Sequence, residues 1–250
     1  MSMNRFFVDA SGQKFDKNIC ITGEDVNHIK NVLRLRVGDD ILIGDGCGRD
    51  YHCTIASFGD GCVVADIKDI TDNFSELQTR VTLFQGYPKS DKLELIIQKM
   101  VELGVYRIVP VMTARTVVKL DEKKAGRKTE RYNLIAKSAA KQSGRGIIPE
   151  VTLPVSFTEA VEMAKELDAN IIPYEEAKGM SHSRDVIARM RDKKSLGIFI
   201  GPEGGFAESE VEQVLEIGGE AITLGHRILR TETAGLATMS ILMFSLDTDD

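Results

Sequence analysis

LGIFIGPEGGF, Leu196 to Phe206, carries an apolar run (Leu196, Ile198, Phe199, Ile200) straight into a loop with three glycines and one proline within five residues. Such a loop leaves its N–H and C=O groups uncovered by side chains and open to a bound molecule. Glu203 is its only charge. Taken alone, the loop reads as a tight turn between strand and helix. A second string changes that reading. LGHRILRTETA, Leu224 to Ala234, starts where another strand, Ala221 to Leu224, is expected to end, and it crowds Arg227, Arg230, Glu232 and two threonines ahead of an apolar helix. Packing alone rarely needs so many polar groups there, so the two strings together predict a ligand cradle.

The flanking pattern alternates strand and helix. Strands are expected at Val81 to Gln85, Tyr106 to Met112, Asn170 to Pro173, Leu196 to Ile200 and Ala221 to Leu224. Between and after them, helices are expected from a Ser90 cap to Gly104, near Lys128 to Ser143, and over Thr158 to Leu167, Ser183 to Met190, Glu208 to Glu216 and Thr233 to Ser245. This alternation implies a mainly parallel sheet with helices on both faces. Ligands bind such sheets beyond the carboxyl ends of the strands, where both strings and Tyr174-Glu175 fall.

Before a polar link at Thr71 to Gln78 the pattern is different. Short β segments (Arg5 to Val8, Asn18 to Ile21, Asp40 to Gly44, Tyr51 to Ser57, Cys62 to Ile70) surround one helix, Gly23 to Val32, with Thr22 as its expected N-cap. A small β-barrel serving as a recognition module is the expectation.

A chain of 250 residues that is 42% hydrophobic is long enough for two domains, each with its own core. No apolar run reaches membrane-spanning length, and MSMNRFFVDA lacks the features of a secretory signal, so a cytosolic protein without membrane contact is expected. Cys20, Cys47, Cys53 and Cys62 include no CxxC pair; a zinc site through Cys47, His52 and Cys53 matches no ligand spacing, and buried reduced thiols are expected, with no metal. The net charge of -6 excludes a generally basic nucleic-acid coat, yet Met112 to Arg145 holds ten Lys or Arg against three acids. A local basic patch on an acidic body suits a polyanion contact, although a solvated basic helix face has the same composition. Asp247, Asp249 and Asp250 read as a solvated end.

Several chemistries lack their motifs. There is no GxxxxGK[ST], and Gln85-Gly86-Tyr87-Pro88 stands where a dinucleotide fingerprint would follow the first strand. Pro202 removes a donor from the glycine loop, and Glu203 and Glu232 oppose a polyphosphate. Neither GxSxG nor HExxH occurs, and His226 is the one histidine near the cradle. Open backbone beside carboxylates suits a ligand with a cationic or hydroxyl-bearing part.

GPEGGF followed by LGHRILRTETA resembles the RsmE family, small-subunit (16S) ribosomal RNA uridine N3-methyltransferases of the SPOUT class that use S-adenosylmethionine. RFFV, HIKNVLRLRVGD, QGYPKSDKLELIIQKMVELGV and AAKQSGRGIIPEV follow the same order of blocks, so the resemblance covers nearly the whole chain. It implies an α/β protein with an N-terminal PUA-like β-barrel (1-72, RNA-binding), a C-terminal SPOUT α/β trefoil-knot domain (73-250, methyltransferase), and a homodimer. It places Glu175, Gly201, Pro202, Glu203, Gly204, Gly205, Leu224, Gly225, Arg227, Ile228, Leu229 and Thr231 around the cofactor. Arg230 and Glu232 are the candidate catalytic residues. Arg5, Arg34, Arg36, Lys89, Lys137, Lys141 and Arg145 are candidate RNA contacts, with 16S ribosomal RNA in the small subunit as partner. Tyr87, Tyr174 and Phe206 are the aromatics available to stack on a base. A superfamily member acting on another RNA or on a ribose 2'-hydroxyl, and a non-catalytic RNA-binding or assembly protein, remain the alternative readings.

Overall fold

The computed structural model describes residues 3–8 and 15–247; Asp249 and Asp250, read as part of a solvated end, lie outside the described residues. The chain forms two compact units, Met1–Glu76 with Ala140–Ile148, and Leu77–Ala139 with Pro149–Asp250.

The first unit is a five-stranded sheet of β1 (Asn4–Phe7), β2 (Asn18–Thr22), β3 (Asp40–Gly44), β4 (Arg49–Gly59) and β5 (Cys62–Asp72), ordered β1-β3-β4-β5-β2. β1 runs parallel to β3, and the other pairings are antiparallel. Period-two alternation sends Ile19 and Ile21 of β2 and Ile41 and Ile43 of β3 inward, where they meet Phe6, Ile29, Ile55 and Val63 in one core. The expected helix after β2 is shorter and tighter. α1 (Glu24–Asn27) passes into a π-helical turn, His28–Val32. Thr22 does not cap it: Thr22 is paired with Cys62 in the β2–β5 ladder, and Gly23, at φ 75°, makes the break.

The cysteine expectation also needs correcting. β2–β5 pairing sets Cys20 opposite Val64 and Thr22 opposite Cys62, so Cys20 and Cys62 are diagonal neighbours 6.0 Å apart at Cα and form a disulfide. Only Cys53 is a buried free thiol, pushed up to about 11 by its burial and by Asp66; Cys47 is free and exposed.

The second unit holds β6 (Arg80–Gly86), β7 (Arg107–Met112), β8 (Glu150–Val151), β9 (Val155–Ser156), β10 (Ala169–Pro173), β11 (Ser195–Ile200) and β12 (Glu220–Ile222). They form one sheet ordered β12-β10-β11-β6-β7-β8, with β9 also on β7, and every pairing is parallel. The helices are α2 (Lys92–Glu102), α3 (Glu122–Ser143), α4 (Phe157–Lys165), α5 (Met180–Arg189), α6 (Glu208–Glu216) and α7 (Thr231–Leu246). Phe84, Val109, Ile172 and Phe199 share a core cluster with α4 and α6. Strand alternation turns their neighbours Leu83, Ile108, Ile171 and Ile198, all buried, to the opposite face.

Several boundaries move for local reasons. α3 begins six residues before the expected Lys128 because Asp121 Oδ1 accepts the Lys124 N–H at 2.8 Å, a first-turn cap. Ser90 is not the cap of α2: it stands at φ 57°, and Asp91 occupies the capping position. β12 stops at Ile222, leaving residues 223–230 as loop before α7.

Candidate functional site

A parallel sheet puts all its carboxyl ends on one edge, so the segments after β6, β7, β10, β11 and β12 emerge together. Two adjoining cavities of about 630 and 590 Å³ lie there and share Pro173, Tyr174, Glu175, Ile228, Leu229 and Ala234. Gly201 to Gly205, Arg230 and Thr231 line the first lobe; Leu224, Gly225, His226 and Arg227 line the second. The twelve residues expected around a ligand are thus brought to one cleft, although they come from three separate loops. Glu232 is not part of the wall itself and reaches it through Lys92.

Close backbone approach explains the glycines. A Cβ on Gly86 would overlap the Pro202 ring, and one on Gly201 would stand 3.0 Å from Gly205 Cα. Side chains then lock the loop in place. Gln85, fully buried, donates from Nε2 to the Gly86 carbonyl at 3.0 Å and to Thr231 Oγ1 at 2.9 Å. Thr231 Oγ1 in turn donates to the Gly201 carbonyl at 2.6 Å. At the other end, Arg115 Nη1 donates to the Gly204 carbonyl at 2.8 Å. Buried Glu210 accepts from Ala114 N and Ala207 N, both at 2.8 Å, joining the loop after β7 to the start of α6.

Charge is concentrated at one side of the first lobe. Lys92 Nζ lies 3.0 Å from Glu203 Oε1 and 3.5 Å from Glu232 Oε2. Burial opposes ionisation of Glu203, but its own backbone N–H, Lys92 and the Lys89 N–H outweigh it and hold the carboxyl below its ordinary value. The hydrogen bond to Glu203 raises the Lys92 ammonium. Glu232 Oε2 is buried and makes no hydrogen bond. An ion pair between Arg230 and Glu232, the packing alternative for these two, is not formed. Arg230 is exposed, and among the described residues its guanidinium has no partner.

Lys92 and Arg115 were not anticipated. Lys92 lies on a helix without a glycine signature. Arg115 follows a parallel strand, and the rule that ligands gather at strand carboxyl ends would have flagged it. Of the three candidate stacking aromatics, Tyr87 is buried with its hydroxyl 2.8 Å from that of Tyr132, and Phe206, 7% exposed, packs edge-on against Phe157 while lining the first lobe. Tyr174 stays at the cleft, its phenol raised by burial and by nearby Glu176 and Glu208.

Two expected RNA contacts, Arg5 and Arg145, are corrected, and a third, Lys141, is found paired. Arg5 is 8% exposed and bonds Asp50 through both Nη atoms, at 2.8 and 2.5 Å. Arg145 is 2% exposed, with Nε 2.8 Å and Nη2 2.6 Å from the Glu76 carboxylate. Lys141 is paired with Asp25 at 2.7 Å and lies over the Phe6 ring. Arg5 and Arg145, buried and paired, have no charge to spare for a phosphate, whereas Lys141 is paired but still part-exposed. Arg34, Arg36, Lys89 and Lys137 are exposed. Among the described residues, no helix is long and apolar enough to cross a membrane, and no group of three or more His, Cys, Asp or Glu is placed to hold a metal ion.

This fold and cleft are those of an RNA methyltransferase: the family model described as RNA methyltransferase domain matches residues 75–243, and the one described as RNA methyltransferase PUA domain matches residues 21–68. Ribosomal RNA small subunit methyltransferase E of Bacillus subtilis is 38% identical over 250 residues, 98% of each chain. Its counterpart in Mesomycoplasma hyopneumoniae is 32% identical, covering 94% of this chain and 96% of that one. The crystal structure of the Neisseria gonorrhoeae ribosomal RNA small subunit methyltransferase E bound to S-adenosyl methionine superposes with a TM-score of 0.84, at 30% identity over 97% of this chain and 98% of that one. The chain belongs to the ribosomal RNA small subunit methyltransferase E family.

Proposed function

We propose that this chain transfers a methyl group from S-adenosylmethionine to N3 of a uridine in 16S ribosomal RNA of the small subunit. The observation that carries the reading is the single cleft at the sheet's carboxyl edge, walled by the glycine loop and by residues 224–231. Its chemistry fits the cofactor. Gly201, Gly204 and Gly205 offer bare backbone to adenosine, Ile228 and Leu229 offer apolar surface, and Glu203, Glu232 and Lys92 together carry a net charge of -1 suited to a sulfonium.

When bound, S-adenosylmethionine supplies an activated methyl group, so positioning by the protein accounts for much of the rate. Ile228 and Leu229 present apolar side chains along one side of the cleft. Arg230, unpaired at the N-terminus of α7, stabilises the negative charge that develops on uracil as N3 loses its proton. Glu232, paired with Lys92 beside the first lobe, is the carboxylate this reading assigns to take that proton. Tyr174, less buried than Phe206 at the same lobe, is the aromatic this reading assigns to stack on the extruded base. Arg34, Arg36, Lys89 and Lys137 are the cations free for the RNA backbone.

The same reading includes residues 1-72 as the RNA-binding domain, residues 73-250 as a trefoil-knotted catalytic domain, cytoplasmic placement, and a homodimer. Support for the dimer comes from α7, where Phe244 is 86% and Ile241 44% exposed beside an apolar cavity reached by Met180 and Ile187 of α5.

The test is incubation with methyl-labelled cofactor and small ribosomal subunits from cells lacking the matching enzyme, followed by nucleoside analysis and reverse-transcription mapping. A single labelled stop at a uridine is expected. Label on a ribose 2'-hydroxyl or on another RNA overturns the assignment of atom or substrate, and absence of label overturns the activity.

A further inference from the structure

The first unit contains a cavity of its own, about 550 Å³, lined by Asn4, Arg5, His28, Asp50, Lys141 and Gln142 together with apolar Leu33 and Leu42. We infer that this cavity holds one unstacked nucleobase of an RNA strand, away from the methyl-transfer cleft. The inference rests on the reading that the chain acts on RNA, but not on which atom is methylated.

The lining is charged in composition and neutral in effect. Arg5 is consumed by Asp50, which also accepts Asn73 Nδ2 at 2.9 Å, and Lys141 is consumed by Asp25. A phosphate here would find both cations neutralised and two carboxylates opposing it. What remains free is uncharged. Among the described residues, the side chains of Asn4, His28 and Gln142 have no hydrogen-bond partner, and Arg5 Nε is buried with an unmet N–H. The two amides and the His28 ring bring hydrogen-bonding groups to the cavity, with Leu33 and Leu42 as apolar walls. A flat heterocycle with an amide-like edge and apolar faces matches that set, and nucleobases have this chemistry. The volume suits a ligand of nucleoside size. Arg34, one residue beyond Leu33, is exposed and among the described residues has no ion-pair partner, so it is available to the phosphate of a strand whose base is seated inside.

The side-chain amide signals of Asn4 and Gln142 and the ring signals of His28 in isotope-labelled full chain report on the cavity directly. The probes are the four ribonucleoside 5'-monophosphates, ribose 5-phosphate, and unstructured hexanucleotides of each base. At least one mononucleotide should shift those signals, ribose 5-phosphate should not, and the hexanucleotide of the same base should bind about tenfold more tightly through its added phosphate contacts. The His28→Ala/Gln142→Ala variant should bind that hexanucleotide roughly fivefold less well, the loss of about one hydrogen bond, at an unchanged melting temperature. Equal response to ribose 5-phosphate marks an anion site and overturns the inference. So do a mononucleotide that binds while hexanucleotides do not, and signals that respond to no probe. Base binding here without methylation of any RNA would leave the cavity standing and remove the methyltransferase reading; methylation with a silent cavity would do the reverse.

Discussion

Lys92 and Glu203 are joined by a 3.0 Å ion pair that fastens α2 to the glycine loop. The pair sets a pH dependence. The Glu203 carboxyl lies below its ordinary value of 4.5 because hydrogen bonds and Lys92 outweigh burial. The folded state therefore binds that proton less readily than the unfolded chain. Its contribution to stability is complete above about pH 4.5 and is lost as pH falls through the lower folded value. In thermal melts between about pH 3 and 6, Glu203→Gln should flatten the acid limb; an unchanged limb would show that the pair carries none of it.

Arg115→Ala should loosen the loop without touching the chemistry. Its guanidinium bonds the Gly204 carbonyl, a link worth about 1 kcal/mol, so cofactor affinity measured by calorimetry should fall roughly fivefold while turnover at saturation changes little. A collapse of saturated turnover with unaltered affinity would instead place Arg115 against the target base.

Arg230→Ala should show the opposite split. Removing a charge that acts on the developing uracil anion should cost about 100-fold in turnover and leave cofactor affinity nearly intact. Arg230→Lys should recover only part of the loss, because an ammonium lacks the planar fork of the guanidinium. Equal losses of turnover and affinity would make Arg230 a binding residue.

Arg34 and Arg145 should separate cleanly. Neutralising exposed Arg34 should reduce the salt dependence of RNA binding by about one unit of slope, with no effect on unfolding. Arg145→Ala leaves the Glu76 carboxylate with only the Gly146 and Ile147 N–H groups and should lower stability in urea by about 2 kcal/mol. A normal melt for Arg145→Ala together with a reduced salt slope would return it to the RNA surface.

Local signals in the sequence located most of the elements and the walls of the cleft. Glu208 to Glu216 is the helix expected, and the glycine loop sits between β11 and α6 as its composition requires. Partnerships were not legible, because charge counts carry no information about distant neighbours. Asp50 lies 45 residues from Arg5, and Glu76 lies 69 from Arg145, so two apparent surface cations turned out to be buried pairs. Cys20 and Cys62 meet only because of the register of β2 on β5. Lys92 was invisible for a related reason: its meaning depends on two carboxylates supplied by chain more than a hundred residues away.

The hydrogen bond from Gln85 to Thr231 spans 146 residues. Synthesis of the chain therefore delivers the floor of the cleft long before its far wall, and one of the two hydrogen bonds of Gln85 Nε2 waits for α7. A chain stopped before Thr231 would have most of its sheet and no working pocket. Completing the cleft therefore depends on α7, whose start supplies Arg230, Thr231 and Ala234 to its wall.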